Sequence, residues 1–223
     1  MARGKVSELF ESIQGEGIYQ GIRQVFVRFY GCNLTRCRFC DTRLEGYKEF
    51  SAEDLIKQID FHWKGFHSLS LTGGEPLLQK DFLKEILSLS KQRGLRTYLE
   101  TNGILADELS ELIDEVDIIA MDIKLPSSTG LENFWTEHRR FLEIAAGKES
   151  FVKIVICNST AEEDMRKALE VISDFNLPLV LQPNSFELSR TLTDKLRKFQ
   201  EICLGSLSDV RITPQMHNIM GLR

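Results

Sequence analysis

Gln24-Val-Phe-Val-Arg-Phe-Tyr-Gly-Cys-Asn-Leu-Thr-Arg-Cys-Arg-Phe-Cys40 is the stretch that decides the fold. Its first half alternates Val25, Val27 and Phe29 with Phe26 and Arg28, which predicts a strand over 24–30. Gly31 permits a sharp turn, and Cys32, Cys37 and Cys40 then fall in a loop at the strand's carboxyl end. Further strands are expected over 68–71, 97–99, 117–121, 151–156, 178–181 and 209–212. Helices are expected over 81–93, 106–113, 131–146, 161–175 and 190–204. Another opens at Ser51, where Ser51-Ala-Glu-Asp54 has the form of a capping box with Asp in place of Glu or Gln. Such alternation predicts parallel strands joined by right-handed crossovers.

The polar clusters share one position. Thr72-Gly-Gly-Glu75 follows the second strand, Glu100-Thr-Asn-Gly103 the third and Asp122-Ile-Lys124 the fourth. Cys157-Asn-Ser159, Gln182-Pro-Asn184 and Thr213-Pro-Gln-Met-His217 follow the last three. Barrels and open α/β sheets build their sites on that edge. Six or seven strands fall short of a closed eight-fold barrel. The expectation is an α/β fold, an incomplete TIM-like barrel of mostly parallel strands in a single domain over 1–223.

The 223 residues are 42% hydrophobic and 27% charged, enough for one sizeable core. A formal net charge of -5 gives no electrostatic footprint for nucleic acid. No apolar run approaches the roughly 20 residues of a membrane span. The start, Met-Ala-Arg-Gly-Lys-Val6, lacks the apolar stretch of a signal peptide, so a cytoplasmic protein is expected. Five cysteines, an odd number, argue against a disulfide framework. Cys203 reads as a buried helix residue, and Cys157 as core or pocket wall.

Three close thiolates can hold three corners of an iron–sulfur cube and leave the fourth iron open. Zinc is the rival, but a structural zinc takes four ligands. No fourth Cys or His lies near the loop, since the histidines are His62, His67, His138 and His217. The Gly-Gly-Glu strand end tips the choice towards the cluster. Gly74 has no side chain to keep a small cofactor from its backbone, and Glu75 can accept from an ammonium group. Arg28 lies in a largely apolar strand and needs a partner, either a substrate carboxylate or an internal acid. Thr101 and Asn102 are open to two readings, ribose or carboxylate contacts or an ordinary Asn-Gly turn.

Across essentially its whole length the chain resembles radical S-adenosylmethionine enzymes, and specifically the 7-carboxy-7-deazaguanine synthase family. The most specific element is Glu11-Ser-Ile-Gln-Gly-Glu-Gly17. Gly31-Cys-Asn-Leu34, Cys40-Asp-Thr42, Thr72-Gly-Gly-Glu-Pro76, Glu100-Thr-Asn-Gly103, Gln182-Pro183 and Pro214-Gln-Met-His217 follow in family order. The resemblance implies a 4Fe–4S cluster on Cys32, Cys37 and Cys40, with S-adenosylmethionine on the fourth iron. An electron from the reduced cluster then yields a deoxyadenosyl radical. Gly74, Glu75, Asp122, Ile123, Lys124, Gln182, Pro183, Asn184 and Ser185 would contact S-adenosylmethionine. Thr42 would ligate Mg²⁺, a metal that the sequence alone does not suggest.

The substrate implied is 6-carboxy-5,6,7,8-tetrahydropterin, met by Ile13, Gln14, Gly15, Glu16, Arg28 and Thr72, with Gln215 and His217 closing over it. Hydrogen abstraction at the carbon bearing the carboxylate, ring contraction and loss of ammonia give 7-carboxy-7-deazaguanine. S-adenosylmethionine is regenerated, and the product feeds queuosine-type deazapurine synthesis for tRNA. A homodimer and a flavodoxin-like electron donor are also implied.

Two departures stand out. Four residues separate Cys32 from Cys37 where the superfamily has three, with Thr35 or Arg36 as the extra one. The chain ends Gly221-Leu222-Arg223 where members often end Gly-x-Pro. Rival readings are a glycyl-radical-activating enzyme, a zinc-binding protein without catalysis, and a paralogue acting on a modified pterin.

Overall fold

The computed structural model describes residues 2–34, 37–40, 42 and 45–221. Among the described residues nine strands form one sheet: β1 (Arg3–Ile13), β2 (Arg23–Phe29), β3 (Lys48–Ser51), β4 (Ser68–Gly73), β5 (Thr97–Thr101), β6 (Ile118–Asp122), β7 (Glu149–Ile156), β8 (Leu179–Pro183) and β9 (Val210–Ile212). Their order is β3-β1-β2-β4-β5-β6-β7-β8-β9. From β2 through β9 every neighbouring pair in that order is parallel, while β1 runs antiparallel to both β2 and β3. Edge strands β3 and β9 do not pair with each other among the described residues, so the barrel is open. No described helix is long and apolar enough to cross a membrane.

All seven expected strands are present, and two more join them. β1 escapes a period-two reading because its register shifts between Val6 and Glu8, which breaks the alternation of inward and outward residues. β3 has only four residues, none of them buried. Three helices are shorter than expected. The one expected over 106–113 stops at Ser110, with a 3₁₀ turn at Ile113–Glu115. The one expected over 131–146 begins only at Trp135. A short helix, Pro126–Thr129, comes first and ends on Gly130 in the left-handed region. The one expected over 161–175 is α-helical over Glu162–Ile172 and 3₁₀ over Ser173–Phe175.

The two faces of the sheet differ in chemistry. Val25, Val27, Leu69, Leu71, Leu99, Ile119, Val152, Ile154, Leu179 and Leu181 are fully buried in the main core with apolar residues of the helices. That burial is the main stabilising term. The other face holds a small apolar cluster of Tyr98, Ile118, Ala120, Phe151 and Val180, joined by Ile18 and Tyr19. The Tyr19 ring meets Tyr98 edge-on and tilts against Phe151, closing the base of the barrel interior. Gly17 (φ +70°) passes so close that a Cβ there would lie 2.5 Å from the Phe151 ring.

The expected cap at Ser51 forms. Its Oγ accepts from Asp54 N at 3.2 Å and donates to the Asp54 carboxylate at 2.8 Å. Ser51→Ala should lower unfolding stability by about 1 kcal/mol in urea titrations, and Ser51→Gly by only a few tenths. Ligand binding should be unchanged in both.

Candidate active site

A cleft of about 1140 Å³ opens at the carboxyl ends of the parallel strands. Arg28 of β2, Thr72 of β4, Glu100 of β5, Asp122 of β6, Lys153 of β7 and Gln182 of β8 all line it. Register sets some of them side by side: Arg28 pairs with Thr72 in the ladder, and Asp122 with Lys153.

Cys32, Cys37 and Cys40 lie together at one end of this cleft. Backbone contacts fasten their loop at several points. Glu75 N donates to Gly31 O at 2.8 Å, and Arg38 N donates to Thr129 O at 3.1 Å. Asn102 Nδ2 donates to Asn33 Oδ1 at 2.7 Å, and the Lys124 ammonium sits 5.2 Å from the centre of the Phe39 ring. The place a Cβ on Gly74 would take is filled: it would lie 1.9 Å from Gly31 O and 3.0 Å from Cys32 N. Gly74 is therefore required by the cluster loop's own backbone, independently of any cofactor. Thr35 and Arg36, the candidates for the extra loop residue, and Arg223 fall outside the described residues.

The donor set fits an iron–sulfur cube. Burial raises the Cys32 and Cys37 thiols and the Lys124 charge opposes that rise; Cys37 feels both other sulfurs, and Cys32 that of Cys40. Among the described residues no three His, Cys, Asp or Glu side chains converge on a single-ion site. A cube does not ask for that convergence, because each thiolate takes its own iron. Two buried acceptors in the cleft wall, Asp122 Oδ1 and Gln182 Oε1, have no hydrogen-bond partner among the described residues. Buried polar atoms left in this way mark places for a ligand's donors. The residues present thus fit both the cluster and a donor-rich cofactor such as S-adenosylmethionine.

Glu75 is placed differently from the expectation. It is fully buried and does not line the cleft. One carboxylate oxygen accepts from Leu77 N at 3.2 Å and Thr101 Oγ1 at 2.9 Å, and the other from Asn102 N at 2.8 Å. Burial pushes its pKa up to about 7, against the pull of those donors. The carboxylate ties the end of β4 to the end of β5. Thr101 and Asn102, which line the cleft, are thereby braced.

A row of charges crosses the floor. Lys124 Nζ lies 2.9 Å from Asp122 Oδ2, and Lys153 Nζ lies 3.3 Å from the same oxygen. Lys153 also pairs with Glu16 Oε2, and Gln215 Nε2 donates to Glu16 Oε1 at 2.7 Å. Ser185 Oγ in turn donates to Gln215 Oε1. Burial acts to raise Asp122, but the two ammonium groups overcome it and hold the carboxyl below its ordinary range. Burial acts to lower Lys153, and Glu16, Asp122 and Glu100 outweigh it, so the ammonium stays charged.

At the other end, Glu100 is a hub. It accepts from Gln14 Nε2 at 2.8 Å, Ser70 Oγ at 3.2 Å and Thr72 Oγ1 at 2.9 Å. Of the two partners expected for Arg28, an internal acid is present: its Nε lies 2.6 Å from Glu8 Oε2. Its Nη1 donates to Thr42 Oγ1 at 3.4 Å, and the side chain lines the cleft. Met216 N donates to Gly15 O at 2.9 Å, and Gln20 Nε2 donates to Pro214 O at 2.6 Å. The segment bearing Gln215 and His217 is thereby strapped to the loop bearing Gly15 and Glu16.

Of the residues singled out from sequence, Ile13, Gln14, Gly15, Glu16, Arg28, the three cysteines, Thr42, Thr72, Gly74, Asp122, Lys124, Gln182, Asn184, Gln215 and His217 all line the cleft. Glu75, Ile123, Pro183 and Ser185 do not. Ile123 instead points into the main core. Cys157 and Cys203 are buried as expected. Lys153 was missed, although a lysine inside the apolar run Phe151-Val-Lys-Ile-Val-Ile156 was a visible signal of the kind that drew attention to Arg28. Glu100 stood in a quoted motif but drew no role.

An open parallel barrel whose strand ends carry three cysteines and a cofactor cleft defines a class. Residues 26–156 match the Radical SAM superfamily, and the chain belongs to it. It is similar to 7-carboxy-7-deazaguanine synthase of Geobacter sulfurreducens, 40% identical over 244 residues covering 97% of both chains. It is also similar to that of Methanothermobacter thermautotrophicus, 35% identical over 100% of this chain and 99% of the other. The chain therefore belongs to the 7-carboxy-7-deazaguanine synthase family. The crystal structure of QueE from Escherichia coli shares the fold at 22% identity, with a TM-score of 0.69 over 96% of this chain and 95% of that one.

Two outcomes are expected. Gly74→Ala must displace Gly31 and Cys32, so the reconstituted protein should hold markedly less iron than wild type at equal helix content. His138 is fully buried, and its Nε2 lies 3.2 Å from Asn102 O, to which it donates. Burial lowers it from 6.5 to about 4, so the folded form refuses a proton that the unfolded chain accepts. Its contribution is complete above pH 6.5 and is lost as pH falls towards 4. Wild type should lose about 2 kcal/mol more stability between pH 7 and pH 5 than His138→Gln in urea titrations.

Proposed function

We infer that the chain is a radical S-adenosylmethionine lyase that converts 6-carboxy-5,6,7,8-tetrahydropterin to 7-carboxy-7-deazaguanine with loss of ammonia. The observation that carries this reading is the 40% identity, over nearly the whole of both chains, to a named synthase. The geometry agrees with it: the three cysteines share a single cleft with carboxylates suited to a pterin.

Cys32, Cys37 and Cys40 hold the 4Fe–4S cluster. The Gly74 backbone, Asp122, Lys124, Gln182 and Asn184 receive S-adenosylmethionine, Asp122 Oδ1 and Gln182 Oε1 accepting from its donors. Glu75 acts through Thr101 and Asn102, and Ile123, Pro183 and Ser185 hold the segments beneath. When bound, the cluster and S-adenosylmethionine together supply hydrogen-atom abstraction. Everything else is positioning. Gln14, Glu16 and Glu100 take the amino and ring N–H groups of the pterin, where charge-assisted acceptors are strong. Arg28 and Thr72 take its carboxylate end. Tyr19, Tyr98 and Phe151 keep water from entering through the base.

The reading extends to Mg²⁺ on Thr42, whose hydroxyl already faces Arg28; magnesium keeps most of its waters, so one protein oxygen suffices. It extends also to a homodimer, a flavodoxin-like electron donor and a cytoplasmic role in queuosine-type synthesis for tRNA.

The test is anaerobic reconstitution with iron and sulfide, then incubation with reductant, S-adenosylmethionine, Mg²⁺ and the pterin. Mass spectrometry should show 7-carboxy-7-deazaguanine from wild type and none from Cys37→Ala. Deoxyadenosine without that product would keep the radical chemistry and remove the substrate. Bound zinc with neither product would overturn the reading.

A further inference from the structure

Lys153 sits midway along β7, pointing inward between Phe151 and Val155. Its sequence neighbours Val152 and Ile154 are fully buried on the opposite face. An ammonium in such a strand must find opposite charge or lose its proton. Lys153 finds two carboxylates from distant parts of the chain. Glu16 comes from the N-terminal loop and Asp122 from the end of β6, and each also has a second partner, Gln215 for Glu16 and Lys124 for Asp122. Two cations and two carboxylates therefore alternate: Lys124, Asp122, Lys153, Glu16. The carboxylates around Lys153 outweigh its burial and favour the charged ammonium.

The ends of this row serve different ligands. Lys124 and Asp122 stand beside the cysteine loop: the Lys124 ammonium lies 5.2 Å from the centre of the Phe39 ring, and both residues line the cleft with the three cysteines. Glu16 stands with Gln215 and the strap over the far end. We propose that Lys153 is a positioning residue that couples the cofactor half of the cleft to the substrate half, because its one ammonium group holds both Asp122 and Glu16. The inference rests on the assignment of the two halves made above.

A donor that engages Asp122 Oδ1 fixes that carboxylate. Fixing it orders Lys153, which in turn orders Glu16. The second ligand then meets a group already in place, so it loses less conformational freedom on binding. The coupling is positive and acts equally in both directions. A lysine that merely tied three strand segments together would support stability without linking the two affinities.

The experiment measures binding, not turnover. Anaerobic, cluster-loaded protein without reductant is titrated calorimetrically with S-adenosylmethionine, in the absence and presence of saturating 6-carboxytetrahydropterin, and the reverse. In wild type each ligand should tighten the other about fivefold or more. In Lys153→Met the factor should fall to near one, and Lys153→Arg should restore most of it. Lys153→Gln keeps a donor for one carboxylate only; it should also lose the coupling and serves if the Met variant does not fold. Coupling that persists in these variants, with lowered thermal stability alone, would overturn the proposal. So would wild type that makes product yet binds the two ligands independently. Wild type that binds neither ligand and makes no product would overturn the assignment of the cleft, and the inference with it.

Discussion

A charge taken out of water must be met by an opposite charge, and that constraint organises the interior of this open barrel. The outward face of the sheet is almost wholly apolar and drives folding against the helices. The inward face carries Arg28, Glu100, Asp122 and Lys153 on four different strands. Each is answered: Arg28 by Glu8, Asp122 by Lys124 and Lys153, Lys153 by Glu16, and Glu100 by amide and hydroxyl donors. A buried pair costs a great deal when one partner is removed, so the arrangement narrows side-chain positions, and bound ligands complete the ordering. Fixed positions are what a site needs if it must aim a reactive intermediate at one carbon.

The same logic extends to the backbone at the cluster end. Gly31 O accepts from Glu75 N and fills the space above Gly74. The Glu75 carboxylate turns away from the cleft and gathers three donors from the ends of two strands. The Gly-Gly-Glu segment thus joins the cysteine loop to the sheet and the sheet to the Thr101-Asn102 turn, which reaches back to Asn33. A loop that must present three sulfurs to one cluster gains its geometry from this bracing, not from its own short sequence.

Much of this was legible in the sequence because strand–helix alternation and polar residues at strand ends are local signals. The seven parallel strands form where they were expected, and seventeen of the twenty-one site residues read from the sequence line one cleft. What was not legible depends on contacts distant in the chain. β1 hides behind its register shift, and with it went Glu8, so Arg28 could not be matched to its actual partner. Lys153 lies inside a strand and not at its end, where attention was directed. The direction of the Glu75 side chain is set by Thr101 and Asn102, about a quarter of a hundred residues away, and a motif fixes a position without fixing a rotamer. Ile123 shows the same limit: it sits between two cleft residues, Asp122 and Lys124, and turns into the core.

Whether one cleft truly sets the cofactor beside the substrate is answered most directly by isotope transfer. The pterin would carry deuterium on the carbon that bears its carboxylate and be turned over anaerobically by the reconstituted enzyme. Deuterium is expected in the recovered S-adenosylmethionine, because the hydrogen passes between neighbouring ligands in a closed site. Product formed while S-adenosylmethionine stays unlabelled would contradict that placement.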